Sequence, residues 1–363
     1  MIETDVVVVG AGPAGAAAAL NLAPTRRVVL VERRAGDPQR IGEALPPAAR
    51  RLLEDMGLLD EFLAEPHLPC HGNRAVWGPG AAIEADFLHD LDGHGWHLDR
   101  ARFDAWLRRI AVARGAALWM PARFDAIARD GARWRVKLTT GDGPVELAAA
   151  VVIDCGGRAA PVARRLGARR RRAANDRLVC NWAIGDARSA ARGAGFSLVE
   201  AVEDGWWYTA PMPGQRRVLA FFTDADLRPR RAMLDHATEA AEIEALLAEA
   251  MFVPRHTGLS AAHNCCLDPC AGPGWIAAGD ASISFDPISS QGLLHALFSG
   301  LAAAEAADRC VGGEPGAFDE YRSVIAGIEH AYWRHLRHCY TAETRWTAAP
   351  FWRRRCEHRG ELS

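Results

Sequence analysis

The first strand and turn constrain this chain more than any other stretch. Val6-Val7-Val8-Val9 runs into Gly10-Ala11-Gly12-Pro13-Ala14-Gly15, and an alanine-rich segment from Ala16 to Leu22 follows. A β-branched run, G-x-G-x-x-G and a helix-forming stretch read as strand, tight turn and helix, the opening of a dinucleotide-binding βαβ unit. Gly10 makes the turn, Gly12 removes the Cβ that would block a pyrophosphate, and Gly15 lets the helix pack closely on the strand. Phosphate oxygens are then left against the free N–H groups at the helix N-terminus, beside Pro13 and Ala14. A second β run, Val28 to Val31, ends at Glu32-Arg33. Glu32 stands at the spacing where an acidic residue receives adenosine ribose hydroxyls. Its charge would repel a 2′-phosphate, so the expected nucleotide is FAD or NAD.

At 363 residues, 49% hydrophobic and 24% charged, the chain can bury a sizeable core in about two domains. A net charge of -2 gives no global field for nucleic acid. The local run Arg169 to Arg172 is expected to be a solvated patch. Lys137 is the single lysine. Nine cysteines with no signal-peptide pattern suggest reduced thiols and a cytoplasmic protein. No metal-ligand spacing is present, since Cys265-Cys266 with Cys270 lacks both a C-x-x-C pair and a histidine partner. No apolar run reaches membrane-spanning length.

In chain order, Gly42-Glu43-Ala44-Leu45-Pro46-Pro47 leads into a helix from Ala48 to Met56, the prolines presetting its first turn. Alternating runs between Asn73 and Phe87 read as a hairpin. Gly95-Trp96-His97-Leu98-Asp99-Arg100 opens an amphipathic helix with Asp99 near its N-cap. Strands follow at Arg123 to Ala128, Arg133 to Leu138 and Glu146 to Ile153, the last ending in Asp154-Cys155-Gly156-Gly157-Arg158. From Asp176 the pattern is all β: Leu178 to Ile184, Gly195 to Val202, Trp206 to Ala210 and Arg217 to Phe222. A helix from Thr238 to Ala250 covers part of this sheet. Late in the chain come Gly279-Asp280, then Phe285 to Gly292, an apolar helix from Leu293 to Ala307 and a helical tail from Phe318.

Gly279-Asp280 decides between FAD and NAD. Two glycine turns far apart in the chain, each after an apolar strand, suit a cofactor with a nucleotide end and a second long end. Asp280 can accept ribitol hydroxyls, and the helix starting near Gln291-Gly292 would aim its positive N-terminus at the flavin pyrimidine edge.

Together, Gly10 to Gly15, Gly279-Asp280-Ala281, Asp286-Pro287 with Gly292, and Asp99-Arg100 resemble the aromatic-hydroxylase-like FAD flavoproteins, which include hydroxylases, geranylgeranyl-reductase-like enzymes and halogenases. Ile41 to Pro47, Gly95 to Arg100, Trp206-Trp207-Tyr208 and Phe285 to Gly292 resemble the halogenase-like branch containing flavoproteins that hydroxylate protein tryptophans to build quinone cofactors. The resemblance implies noncovalent FAD at Gly10, Gly12, Gly15, Glu32, Arg100, Gly279 and Asp280, with Pro287, Ser290, Gln291 and Gly292 beside the isoalloxazine.

The expected architecture is α/β: a Rossmann-like FAD-binding domain (1–72, 96–175, 262–310), a β-sheet substrate domain (73–95, 176–261) and a C-terminal helical segment (311–363). The expected reaction is hydroxylation of an aromatic, a tryptophan or similar indole presented within a peptide or protein, through a flavin C4a-hydroperoxide. Electrons would come from NAD(P)H or a separate flavin reductase. Glu43, His97 and Gln291 are the candidate catalytic groups, and Trp182, Trp206, Trp207 and Tyr208 the candidate substrate surface. Rival readings are an ene reductase for isoprenoid chains and a non-catalytic FAD-binding partner. Halogenation is disfavoured, because the W-x-W-x-I-P segment and active-site lysine of tryptophan halogenases have no counterpart here.

Overall fold

The computed structural model describes residues 1–173, 176–187, 195–314 and 316–356; the parts of the expected domains at 174–175, 188–194, 315 and 357–363 lie outside the described residues. The valine run of Ile2–Val9 forms the centre of a mainly parallel sheet. Its neighbours are Val28–Val31 on one side and Gly143–Asp154 on the other, flanked by Ala117–Trp119 and Trp275–Ala277. Val6 to Val9 and Val28 to Val31 are all buried, as expected for parallel strands covered on both faces. The register sets Val9 beside Val31 and Asp154, and Asp154 beside Ala277. The turns at Gly10, Glu32, Cys155 and Gly279 therefore emerge along one edge, at the carboxyl ends of the strands, where open α/β sheets bind ligands.

The helix Pro13–Leu22 is alanine-rich for a packing reason. It lies between the sheet and the helix Gly292–Val311, and a Cβ on Gly300 would come within 2.4 Å of the Ala14 carbonyl oxygen. Only small residues permit that approach.

A second, seven-stranded sheet has the order Val253–Ala261, Leu178–Asp186, Arg216–Asp224, Gly205–Met212, Phe196–Val202, Gly72–Val76, Ile83–Asp86. The early hairpin enters it through a parallel pairing of Gly72–Val76 with Phe196–Val202. Val253–Ala261 is a strand that the sequence pattern did not reveal, because it is an edge strand holding Pro254 and Gly258 with no buried face. The helix expected over Thr238 to Ala250 spans Ala241–Glu249, starting after Ala240, which is extended, and a separate short helix, Met233–Ala237, precedes it.

The tail helices Ala317–Thr341 and Pro350–Cys356 touch both sheets' surroundings. Trp352 Nε1 donates to the Val202 carbonyl at 2.9 Å, and Trp77 Nε1 donates to that of Cys339 at 2.8 Å. Among the described residues no helix is long and apolar enough to cross a membrane.

Candidate active site

The glycine loop behaves as its spacing demands. Gly10 has φ +105°, and a Cβ there would meet the Cys155 carbonyl oxygen at 2.2 Å; a Cβ on Gly15 would meet the Gly10 carbonyl oxygen at 1.8 Å. A Cβ on Gly12 meets nothing within 4 Å. Gly12 is thus free of protein contacts where the other two are locked. Glu32 lies alongside, accepting from the Ala11 N–H at 3.1 Å and the Arg34 N–H at 3.0 Å, and Arg33 is exposed beyond it.

Gly279, at φ +61°, sits against this loop, since a Cβ there would be 2.8 Å from that of Ala14. Its N–H donates to Ser299 Oγ at 2.8 Å. The two glycine turns, far apart in sequence, are in contact in space. Asp280 is partly exposed, with Arg158 Nε at 3.5 Å from its carboxylate.

Two helices point open N-termini here. Neither Pro13–Leu22 nor Gly292–Val311 has a side-chain cap or an acidic residue in its first turn. Their leading N–H groups and positive dipole ends are available to an anion. Gly292 leaves open space at its Cα, while Ser290 is held at φ +51° and is exposed with Gln291. A phosphate-bearing, elongated cofactor fits this donor set.

Arg100 links the predicted residues. Its guanidinium bonds Asp104 at 3.1 and 3.2 Å and the Gly42 carbonyl at 3.0 Å. Burial disfavours its charge, but Asp104, Glu43 and Asp280 outweigh that and hold it ionised. From the same helix, Arg108 donates to the Ala11 carbonyl at 3.1 Å and pairs with Asp37. One helix therefore fixes both the glycine loop and the Glu43 loop.

Glu43 is buried and accepts from the Tyr208 hydroxyl at 2.5 Å and the Gly42 N–H at 3.0 Å. Burial raises its carboxyl above the ordinary range, opposed by the Tyr208 hydrogen bond. Burial and the Glu43 charge push the Tyr208 phenol well up, so it stays protonated. His97 lies opposite Ala44 in a small three-stranded sheet of Ala44–Leu45, Gly95–His97 and Leu68–Cys70, fully buried, with neither ring nitrogen hydrogen-bonded. Burial, then the charges of Arg217 and His71, lower it to about 3. It is neutral and a weak base at pH 7. Gln291 stands apart at the Gly292 helix N-terminus.

The four expected substrate residues do not share a surface. Strand alternation sends Trp206 and Trp207 to opposite faces, and both are fully buried. Trp206 stacks on Phe222 at 3.9 Å, and Trp207 packs against Phe221 and His236. These two are placed as core. Tyr208 and the half-buried Trp182 flank Ala220 on one face and, like Ile41, pack against the cluster of Ile184, Ala210, Met212 and Val218, while the Tyr208 hydroxyl reaches Glu43.

Three features were not visible in sequence. Asp154 caps the turn after its strand, accepting from Gly156, Val162 and Ala163 N–H groups at 2.8–2.9 Å. The arginine run is not a wholly solvated patch as expected: Arg171 bonds Glu329 at 3.0 Å, and Arg170 donates to the carbonyls of Gly157 and Asp280. Asp286, which starts the loop into the Gly292 helix, is clamped by the tail. Its carboxylate accepts from Tyr340 OH at 2.7 Å, and its N–H lies 2.8 Å from Tyr332 OH. Tyr332, Leu336 and Tyr340 form a buried i, i+4, i+8 stripe, the one sequence signal that could have shown it.

Burial pushes Asp286 from 3.8 to about 6, with Arg355 opposing. Between these values the folded chain holds a proton that the unfolded chain releases, so this group's contribution to stability is present below pH 4 and lost as pH rises through 6. Asp286→Asn removes that dependence. Denaturant titrations should show the wild type losing stability relative to the variant from pH 4 to 7, by on the order of 2 kcal/mol at about 1.4 kcal/mol per pKa unit. A pH-independent difference contradicts this.

Residues 3–294 match the family model described as FAD binding domain. The chain belongs to that family. This FAD-binding-domain chain is 28% identical over 367 residues to LodB of Marinomonas mediterranea, named as an FAD-dependent oxidoreductase, covering 98% of this chain and 97% of that protein. It is 29% identical over 330 residues to the menaquinone reductase of Mycobacterium tuberculosis, covering 84% and 77%. Among solved structures it resembles the myxobacterial chondrochloren halogenase CndH, with a TM-score of 0.89 and 23% identity over 99% of this chain and 87% of that one. At that identity the likeness is one of fold. The family and these relatives make the chain an FAD-dependent oxidoreductase, and the open glycine cradle and uncapped helix ends fit FAD.

Proposed function

We propose that this flavoprotein is a monooxygenase that hydroxylates an aromatic ring, an indole side chain presented by a polypeptide. The observation that carries the reading is the buried Glu43–Tyr208 pair, which joins the FAD-side loop to the second sheet at 2.5 Å. An oxygen-inserting site needs a proton acceptor where the substrate ring loses its proton, in a place closed to water. Glu43 supplies the acceptor. Tyr208 fixes which oxygen is shielded, and Arg100 holds the loop by the Gly42 carbonyl.

FAD, when bound, would supply the activation of O2, from which the inserted oxygen atom comes. The chain's own residues would do the rest: Gly12 and the two helix ends would seat the cofactor, Glu32 and Asp280 would accept its hydroxyls, and Pro287 to Gly292 would hold its isoalloxazine end. Trp182 and Tyr208 present aromatic surface to an indole, each stacked pair worth about 0.5–1.5 kcal/mol. The resemblance to tryptophan-hydroxylating flavoproteins supports the polypeptide substrate.

Lys137 supports oxygenation over halogenation. It lies in the strand Arg133–Thr140 of the first sheet, paired with Glu146 at 3.0 Å and exposed. A lysine so placed cannot relay hypohalous acid to a substrate on the second sheet. With reduced FAD, O2, bromide and candidate aromatics, mass spectrometry should find no halogenated product; brominated product would overturn the reading. Reductant consumption that depends on O2 separates oxygenase from ene reductase. Reductant oxidised anaerobically in step with saturation of an alkene, as for a quinone or isoprenoid reductase, would replace it.

A further inference from the structure

We infer that the outer face of the second sheet holds a site for a divalent transition-metal ion, of the zinc type, ligated by Asp204, His236 and Glu239. Asp204 comes from the turn between Phe196–Val202 and Gly205–Met212, while His236, near the end of the helix Met233–Ala237, and Glu239 stand three residues apart. Only a His-x-x-Glu pair is local, and the distant Asp204 is why the full ligand set does not show in the sequence. One donor atom from each lies within 4.8 Å of the others.

His236 identifies what the cluster is built for. Its side chain is 2% exposed, and Nε2 has no hydrogen-bond partner although it points between two carboxylates, 3.3 Å from Asp204 Oδ2 and 3.4 Å from Glu239 Oε2. A charge-assisted hydrogen bond would close to about 2.7–2.9 Å. Around a tetrahedral ion with ligands at about 2.1 Å, neighbouring donor atoms stand about 3.4 Å apart. The observed distances match that edge. Asp204 Oδ1 is also buried without a partner, while its carbonyl is anchored by Thr223 Oγ1 at 2.6 Å. Glu239 gives its other oxygen to Arg231, which orients the carboxylate and lowers the net charge of the cluster.

The ring is fixed by Trp207 and Phe221, whose centroids lie 5.2 and 4.4 Å from it, so the donor cannot turn away. His236 also lines a cleft of about 750 Å3 together with Asp226, Arg228, Arg230, Arg231 and Met233, so the cluster is not sealed from the surface. Two carboxylates and a neutral imidazole suit Zn2+ or Mn2+ and leave one position for water. Bound metal would tie the Met233–Ala237 cover to the Asp204 turn. Because it binds the folded chain, it would raise stability by mass action.

The test uses FAD-loaded full-length protein, stripped with chelator and dialysed against Zn2+, with elemental analysis and thermal melts. One Zn2+ per chain and a raised Tm are expected. Glu239→Gln, at an exposed position, and Asp204→Asn should each weaken binding at least tenfold and abolish the Tm rise, with FAD content unchanged. Cys339 and His335, whose Sγ and Nε2 are 3.5 Å apart, offer a competing thiol site, so Cys339→Ser should leave zinc binding as it was. No saturable zinc at one per chain overturns the assignment, as does binding that survives both carboxylate changes or is lost in Cys339→Ser.

Discussion

Gly12→Val abolishes FAD binding and leaves the fold in place. The backbone at Gly12 is extended, at φ -74° and ψ -173°, a conformation valine adopts readily, and its Cβ would touch no protein atom. The cost falls on the ligand alone. A pyrophosphate that must lie against the first turn of Pro13–Leu22 meets two methyl groups where it needs bare backbone. The affinity loss should be on the order of 100-fold or more, which is about 3 kcal/mol. Flavin fluorescence titration measures it, with circular dichroism as the check on fold. The neighbouring glycines behave differently: Gly10→Ala and Gly15→Ala drive a methyl into backbone oxygens at 2.2 and 1.8 Å and should lower stability itself. Gly12→Val protein that still takes up FAD with native affinity contradicts the placement of the pyrophosphate.

The second large effect is at Glu43. Glu43→Gln keeps the shape and much of the hydrogen bonding but removes the proton acceptor, and loss of a positioned general base costs about 10²–10⁴ in turnover. Wild-type turnover should fall as pH drops, with its inflection above the ordinary glutamate value of 4.5, because burial raises this carboxyl. Tyr208→Phe removes the hydrogen bond that opposes the rise. Its pH profile should therefore shift upward, with turnover at high pH retained better than in Glu43→Gln. A structural role alone would lower turnover equally at every pH. FAD content and the pH–rate profile of both variants decide between them, and Glu43→Gln protein with full turnover removes Glu43 from the mechanism.

What was legible in the sequence is what the backbone itself encodes. The valine run and three glycines dictate a strand, a turn and a helix whose geometry leaves little choice, and Glu32 follows from where the second strand must end. Gly279-Asp280 was readable for the same reason. Side-chain partnerships across the chain were not. Glu43 and Tyr208 are 165 residues apart, and no local pattern joins them. Trp206-Trp207-Tyr208 looked like one aromatic surface, but strand alternation splits it, and the two tryptophans bury where area is largest to hide. Arg170 seemed a surface charge until its strand turned it toward the Asp280 carbonyl. The tail's clamp on Asp286 and the grouping of Asp204, His236 and Glu239 both depend on tertiary folding that a linear reading does not reach.

The most direct test of the oxygenase reading is incubation under 18O2 with FAD, a flavin-reducing system and tryptophan-bearing candidate polypeptides, alongside free tryptophan and phenolic acids, read by mass spectrometry. One 18O atom on a tryptophan ring of a polypeptide, absent with Glu43→Gln protein, is the predicted result. Label entering only free aromatic acids would contradict it, and would point to the buried Arg217, whose Nε lacks a partner, as the group receiving their carboxylate.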